Sequence, residues 1–135
     1  MKEALFYFLF GISPVVPPVR MTGLAMTFYA DEPHNNGVLA CKKTATRIFG
    51  SHKMDDSLPI VATRIIPACG TWVVVENIQT GRRAHAVLLE RGPYGCSLPN
   101  GKREVLRPRE CGLRGGRYIA DIDLSARTAR DIGSN

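Results

Sequence analysis

A chain of 135 residues, 44% hydrophobic and 22% charged, has the make-up of one compact globular domain, which excludes a disordered tail-like protein, a fibrous repeat and a comfortable two-domain split. Eighteen Lys and Arg against twelve Asp and Glu give a formal net charge of +6. That excess suits an anionic partner, but neither an aromatic RNA-binding signature nor a zinc-finger spacing accompanies it, so nucleic acid is not expected.

Met1-Lys2 followed by the apolar run Ala4 to Ile12 resembles the charged and apolar regions of a secretory signal, although Glu3 is atypical and no small-x-small cleavage site follows. The run is too short to cross a bilayer as a helix, and no transmembrane segment is expected. Ser13 to Val19 carries Pro14, Pro17 and Pro18 and reads as an extended, polyproline-like tether. Residues 1–22 are therefore expected to form an apolar, Pro-rich arm, signal-like or packed on a protein partner, ahead of a domain at 23–135.

From Gly23 onward short strands alternate with turns. Leu24 to Ala30 reads as a strand closed by the turn cluster Asp31 to Gly37, residues 42–57 read as irregular, and the β-branched Ile60 to Ile66 reads as a strand closed by Pro67. Trp72 to Glu76 and Arg83 to Leu89 form a hairpin around the turn Asn77 to Gly81, with Trp72 and Phe28 expected in the core. Tyr118 to Ile122 is the expected last strand. Leu124 to Ile132 follows as a helix, with Ser125 as N-cap and Gly133 as its stop. Many short strands with few short helices predict a small, mainly β barrel.

Four cysteines allow three pairings. None forms a CxxC, and the long, irregular gaps speak against zinc or an iron-sulfur cluster. Cys96 and Cys111 bracket a loop containing Pro99-Asn100-Gly101 and are expected to pair, which leaves Cys41 with Cys69; reduced core thiols are the plainer alternative. The same loop holds Lys102, Arg103, Arg107, Arg109, Arg114 and Arg117 against Glu104 and Glu110. It is either a solvated loop or a surface for an anionic polymer or subunit.

Candidate chemistry rests on carboxylates. Glu90 sits at the mouth of the Arg91-Gly92-Pro93-Tyr94 turn, and Asp121 and Asp123 end an apolar strand, two residues apart and so on one face of it. Their mutual repulsion would keep one carboxyl protonated near neutrality. Asp123 is the expected acid/base, with Glu90 orienting substrate or stabilising positive charge at a sugar; a helix-capping role for Asp123 and a local ion pair of Glu90 with Arg91 are the structural alternatives. Arg91 and Asp121 are candidate substrate-binding groups. Tyr29 and Tyr94 could form a wall for a pyranose ring, with core packing equally open for Tyr29. His34, His52 and His85 have no partners at ligand spacing, no cofactor or metal is expected, and no Ser or Cys nucleophile with a base emerges.

GLAMTFYA (23–30), PACGTWVVVEN (67–77), TGRRAHAVLLERGPY (80–94) and DIDLSARTARDIG (121–133) together resemble, in order and spacing, the signatures of the rare lipoprotein A type of double-psi β-barrel; expansins, barwins and family-45 endoglucanases are more distant relatives. The resemblance implies a six-stranded double-psi barrel with a glycan-binding groove and, in lytic members, peptidoglycan lytic transglycosylase activity. It implies peptidoglycan strands as ligand and a periplasmic, secreted or virion-associated location. Glu90 stands where the family usually has Asp, Asp123 falls on the aspartate of its AspLeuSer motif, and Val61-Ala62-Thr63 replaces its AlaAlaHis. The cysteine-flanked insertion between Tyr94 and Arg117 and the cysteine at Cys69 are further departures. A non-catalytic barrel that binds glycan or serves a larger assembly, such as a phage tail tip or baseplate, is the alternative function.

Overall fold

The computed structural model describes residues 2–9, 19–31, 36–64 and 68–134. The chain is mainly β, as expected. Its elements in order are β1 (Lys2–Leu9), β2 (Val19–Phe28), α1 (Lys42–Phe49), β3 (Ile60–Thr63), β4 (Trp72–Asn77), β5 (Arg83–Glu90), β6 (Gly95–Ser97), β7 (Arg103–Val105), α2 (Pro108–Leu113), β8 (Arg117–Tyr118), β9 (Ile122–Ser125) and α3 (Ala126–Asp131). No helix among the described residues is long and apolar enough to cross a membrane.

Six strands pair in the order β1-β2-β9-β3-β5-β4, and β4 pairs again with β1, so the sheet closes on itself. Two of these pairings, β2 with β9 and β3 with β5, are parallel; the others are antiparallel. The core packed on this sheet is aliphatic: Ile60, Val61, Val73, Val75, Val87, Leu88, Leu89, Ile122 and Leu124 are essentially inaccessible, joined by Leu39 and Ile132 from outside the strands. Each such side chain contributes roughly 1.5–3 kcal/mol of transfer free energy.

The expected hairpin is present, but its phase differs from expectation. Val73, Val75 and Asn77 point inward, which turns Trp72 outward at 38% exposure, so Trp72 is not core. WVVV is apolar on both faces, and the buried Asn77 settles the alternation: its Nδ2 donates to the Ile132 carbonyl at 3.1 Å, fastening the end of α3 to β4.

Three other expectations are corrected. Residues 2–9 are no detached arm, because β1 pairs with β2 on one side and β4 on the other; a short run containing Phe6, Tyr7 and Phe8 suits a strand as well as a leader. The Pro-rich tether at 10–18 lies outside the described residues, as do 32–35, including His34, and 65–67 at the end of the expected third strand. Residues 42–49, read as irregular, are helix α1, anchored by the fully buried Ala45 and closed by Gly50 at φ 78°. The expected last strand divides at Ile119 to Asp121 between β8 and β9, which belong to different sheets.

Both disulfides form as expected, Cys41 with Cys69 and Cys96 with Cys111, at Cα separations of 5.8 and 6.0 Å. The second pins a separate three-stranded sheet, β7-β6-β8, whose small core is Cys96, Leu98 and Cys111 against Leu106 and Tyr118. The N-cap role of Ser125 holds and extends further than expected. Its Oγ accepts from Thr128 N and Ile60 N and donates to the Leu58 carbonyl at 2.7 Å, so one buried hydroxyl fixes both the start of α3 and the entry to β3.

Candidate active site

The register of the closed sheet assembles the site. Asp123 on β9 lies opposite Met26 on β2 and Ala62 on β3, and Ala62 lies opposite Glu90 on β5. Directly opposed residues project to the same side, so Met26, Asp123, Ala62 and Glu90 form one cross-strand row. The β3–β5 ladder slips between Val61 and Ala62: Val61 faces Leu88, yet Ala62 faces Glu90. Without that irregularity Leu89 would occupy the place, so it aims the carboxylate into the row. Two strand spacings, roughly 10 Å, separate the two acidic residues along the sheet, with the buried Ala62 between them.

Glu90, Asp123, Arg91 and Tyr94 line one groove of about 690 Å³, with Met26, Phe28, Val38, Met54 and Val105 supplying apolar wall and Lys42 a further cation. Four of the expected site residues are thus brought together. The turn after β5 makes this possible: Gly92 adopts φ 123°, a conformation side-chain-bearing residues avoid, and the buried Pro93 offers its carbonyl to Arg64 Nη1 at 2.7 Å.

Burial raises the pKa of the Glu90 carboxyl; the backbone N–H groups of Arg91 and Ala40 and the Arg91 charge oppose that shift without cancelling it. The Arg91 N–H donates to Glu90 Oε1 at 2.9 Å, so the contact between these neighbours runs through the backbone. The Arg91 guanidinium turns instead toward the disulfide, with Nη2 3.6 Å from Cys69 Sγ, while its Nη1 is buried and has no hydrogen-bond partner among the described residues. Tyr94 packs at 6.4 Å from Tyr118 and carries the Arg107 guanidinium 4.8 Å from its ring centre.

Asp121 and Tyr29 are not part of the groove lining. Asp121 sits just before β9 begins, where its Oδ2 accepts from Leu24 N at 2.9 Å and its Oδ1 lies 3.6 Å from Arg64 Nη2. It clasps β2 to the crossover rather than facing Asp123, so the expected repulsion between the two aspartates gives way to burial of Glu90 as what raises a carboxyl pKa in the groove. Tyr29 follows the end of β2 and is 40% exposed, which leaves Tyr94 as the aromatic candidate for a sugar face. His85 is exposed on β5 and His52 Nδ1 lies 3.3 Å from Thr46 Oγ1.

Arg64 went unnoticed in the sequence although it organises the rim. Its guanidinium donates to the Pro93 and Ala120 carbonyls, pairs with Asp121 and lies 3.9 Å from the centre of the Tyr118 ring. A lone arginine after a β-branched strand carries no signal of this; only the convergence of four segments does. Ala62 was equally silent, since only its register position between Asp123 and Glu90 gives it a place here. Compared with protein-family models, curated proteins and solved structures, the chain matches none.

Proposed function

We propose that the protein is a double-psi-barrel enzyme of the rare lipoprotein A type that cleaves peptidoglycan glycan strands as a lytic transglycosylase. The observation that carries this is the row Asp123–Ala62–Glu90: two carboxylates distant in sequence, in one groove with an arginine and a tyrosine. The raised pKa of Glu90 favours it as the proton donor, which exchanges the roles expected from sequence. Glu90 gives its proton to the glycosidic oxygen as the C1–O bond breaks. The carboxylate so formed then accepts the proton of the same sugar's C6 hydroxyl while that oxygen bonds to C1, leaving an anhydro ring and a regenerated acid without consumption of water. Asp123 stabilises the positive charge that develops at C1 between these events. Tyr94 offers a ring for stacking, and Arg91 lines the same groove as a positive charge.

Two disulfides fit an oxidising compartment, which supports action outside the cytoplasm, in the periplasm, as a secreted protein or on a virion. The second reading, a glycan-binding or assembly component without catalysis, draws on the exposed basic insertion and on Val61-Ala62-Thr63, whose Thr63 is wholly buried and offers the groove no polar group in place of the family's histidine. Digestion of purified peptidoglycan with mass analysis of the products separates them. Anhydro ends are expected; reducing ends would make the protein a hydrolase, and intact strands across pH 5–8 would leave the binding role.

A further inference from the structure

The insertion sheet has two faces, and its register says what each carries. Cys96 lies opposite Glu104 on β7 and Tyr118 on β8, and this row turns toward the Cys96–Cys111 disulfide and the small core, where Glu104 pairs with Arg114 at 2.6 Å. One residue along, Ser97 lies opposite Arg103 on one side and Arg117 on the other. Strand alternation puts that row on the opposite face, which it shares with Gly95 and Val105. Gly95 and Val105 line the groove. The groove wall therefore continues, one two-residue step or about 7 Å farther on, into a row of arginine, serine and arginine.

Arg103 and Arg117 are exposed and form no ion pair among the described residues. Two strand spacings, roughly 10 Å, separate their backbones, and flexible side chains of that length can converge over the Ser97 hydroxyl between them. Paired guanidinium forks around a hydroxyl suit a carboxylate.

We propose that the Arg103–Ser97–Arg117 row is an anion subsite continuous with the groove, which receives a carboxylate borne by the same saccharide strand that fills the groove. This rests on the glycan reading above and narrows it: the preferred ligand is a glycan carrying regularly spaced carboxylates rather than a neutral polysaccharide. Charge complementarity and continuity with the groove both point to one polymer spanning the two.

The test compares binding of a peptidoglycan-derived tetrasaccharide with free lactyl carboxylates and of chitotetraose, a neutral saccharide of equal length, by calorimetry at two salt concentrations. All proteins carry Glu90→Gln so that cleavage is negligible during the titration. The carboxylated ligand is expected to bind roughly tenfold more tightly than chitotetraose, the advantage shrinking with salt. The double variant R103Q/R117Q is expected to lose that advantage and keep its affinity for chitotetraose, whereas R109Q, which removes one charge from α2 outside the row, is expected to keep both. A preference that survives in R103Q/R117Q, or that falls equally in R109Q, overturns the subsite and leaves the glycan reading standing. Binding of neither saccharide by the Glu90→Gln parent overturns both.

Discussion

The closed sheet and the insertion sheet solve the problem of holding a surface in place by different means. In the closed sheet, position comes from register backed by a deep aliphatic core: Glu90 and Asp123 face one groove because Leu88, Leu89, Ile122 and Leu124 beside them are fully buried. The insertion has almost no core of its own, three buried residues around one disulfide, and β7 is exposed along its whole length. A site built on the first can tolerate a costly buried carboxyl; a surface built on the second is free to concentrate charge. Chemistry and charge are thus divided between a stiff frame and a covalently pinned appendage that touch at Tyr94, Gly95 and Val105.

The sharpest way to break this comparison is to remove the chemistry and leave the frame. Glu90→Gln is expected to lower cleavage of peptidoglycan by roughly 10²–10⁴-fold, the usual worth of general acid/base catalysis, with Asp123→Asn lowering it comparably. Circular dichroism should be unchanged in both. A variant with full turnover would remove that residue from the mechanism.

Replacing Cys96 and Cys111 by Ser comes next. With the partners 15 positions apart in sequence, the lost cross-link is worth roughly 3 kcal/mol. If the two regions are as separate as described, hydrogen exchange should accelerate in β6, β7 and β8 while β3, β5 and β9 stay protected. Uniform acceleration would show that the insertion props up the frame.

Ser125→Ala tests the frame from within, since it removes an N-cap and the partner of the Ile60 amide together. A loss of about 2 kcal/mol is expected in denaturant unfolding. Because Ile60 is two residues before Ala62, activity should fall with stability. A variant equally stable but inactive would place Ser125 nearer the chemistry than its buried hydrogen bonds suggest.

The smallest effect is one of slope. A carboxyl whose pKa is raised on folding stabilises the native state fully while protonated, below the ordinary carboxylate range, and that stability is lost as pH rises from there through the folded value. Glu90→Gln removes this dependence. Its melting temperature relative to the parent should therefore climb between pH 4 and pH 7; a difference that is flat or falling over that window would mean that Glu90 is not held protonated by burial.

The parts of this molecule readable from sequence are those where one residue type has one dominant use. Cysteines bracketing a turn, Ser125 before a helix and the β-branched hairpin strands all behaved as their chemistry dictates. Other features depended on partners far along the chain. Helix α1 lacks a side-chain cap and carries Thr44 and Thr46; the Cys41–Cys69 bond and the burial of Ala45 favour it over the irregular path its local sequence suggests. Glu90 could be nominated from sequence as a candidate acid, but the slip in register that turns it into the groove is invisible until β3 and β5 are paired. Asp121 and Asp123, two residues apart, parted company because the chain changes sheets between Tyr118 and Ile122.

The parallel pairing of β2 with β9 has a bearing on how the chain reaches this state. Asp121 and Leu24, which meet beside it, are 97 positions apart. During synthesis β2 and β3 must wait with open edges until β9 emerges, and exposed edges of this kind invite pairing with other chains. The insertion lies between the waiting strands and their closing partner, so its length adds to the delay. Its cost to loop closure is small, because that entropy grows only with the logarithm of length, and the Cys96–Cys111 bond, once formed, shortens the effective loop. A chaperone that shields strand edges, or slowed translation ahead of Ile122, would act on this interval.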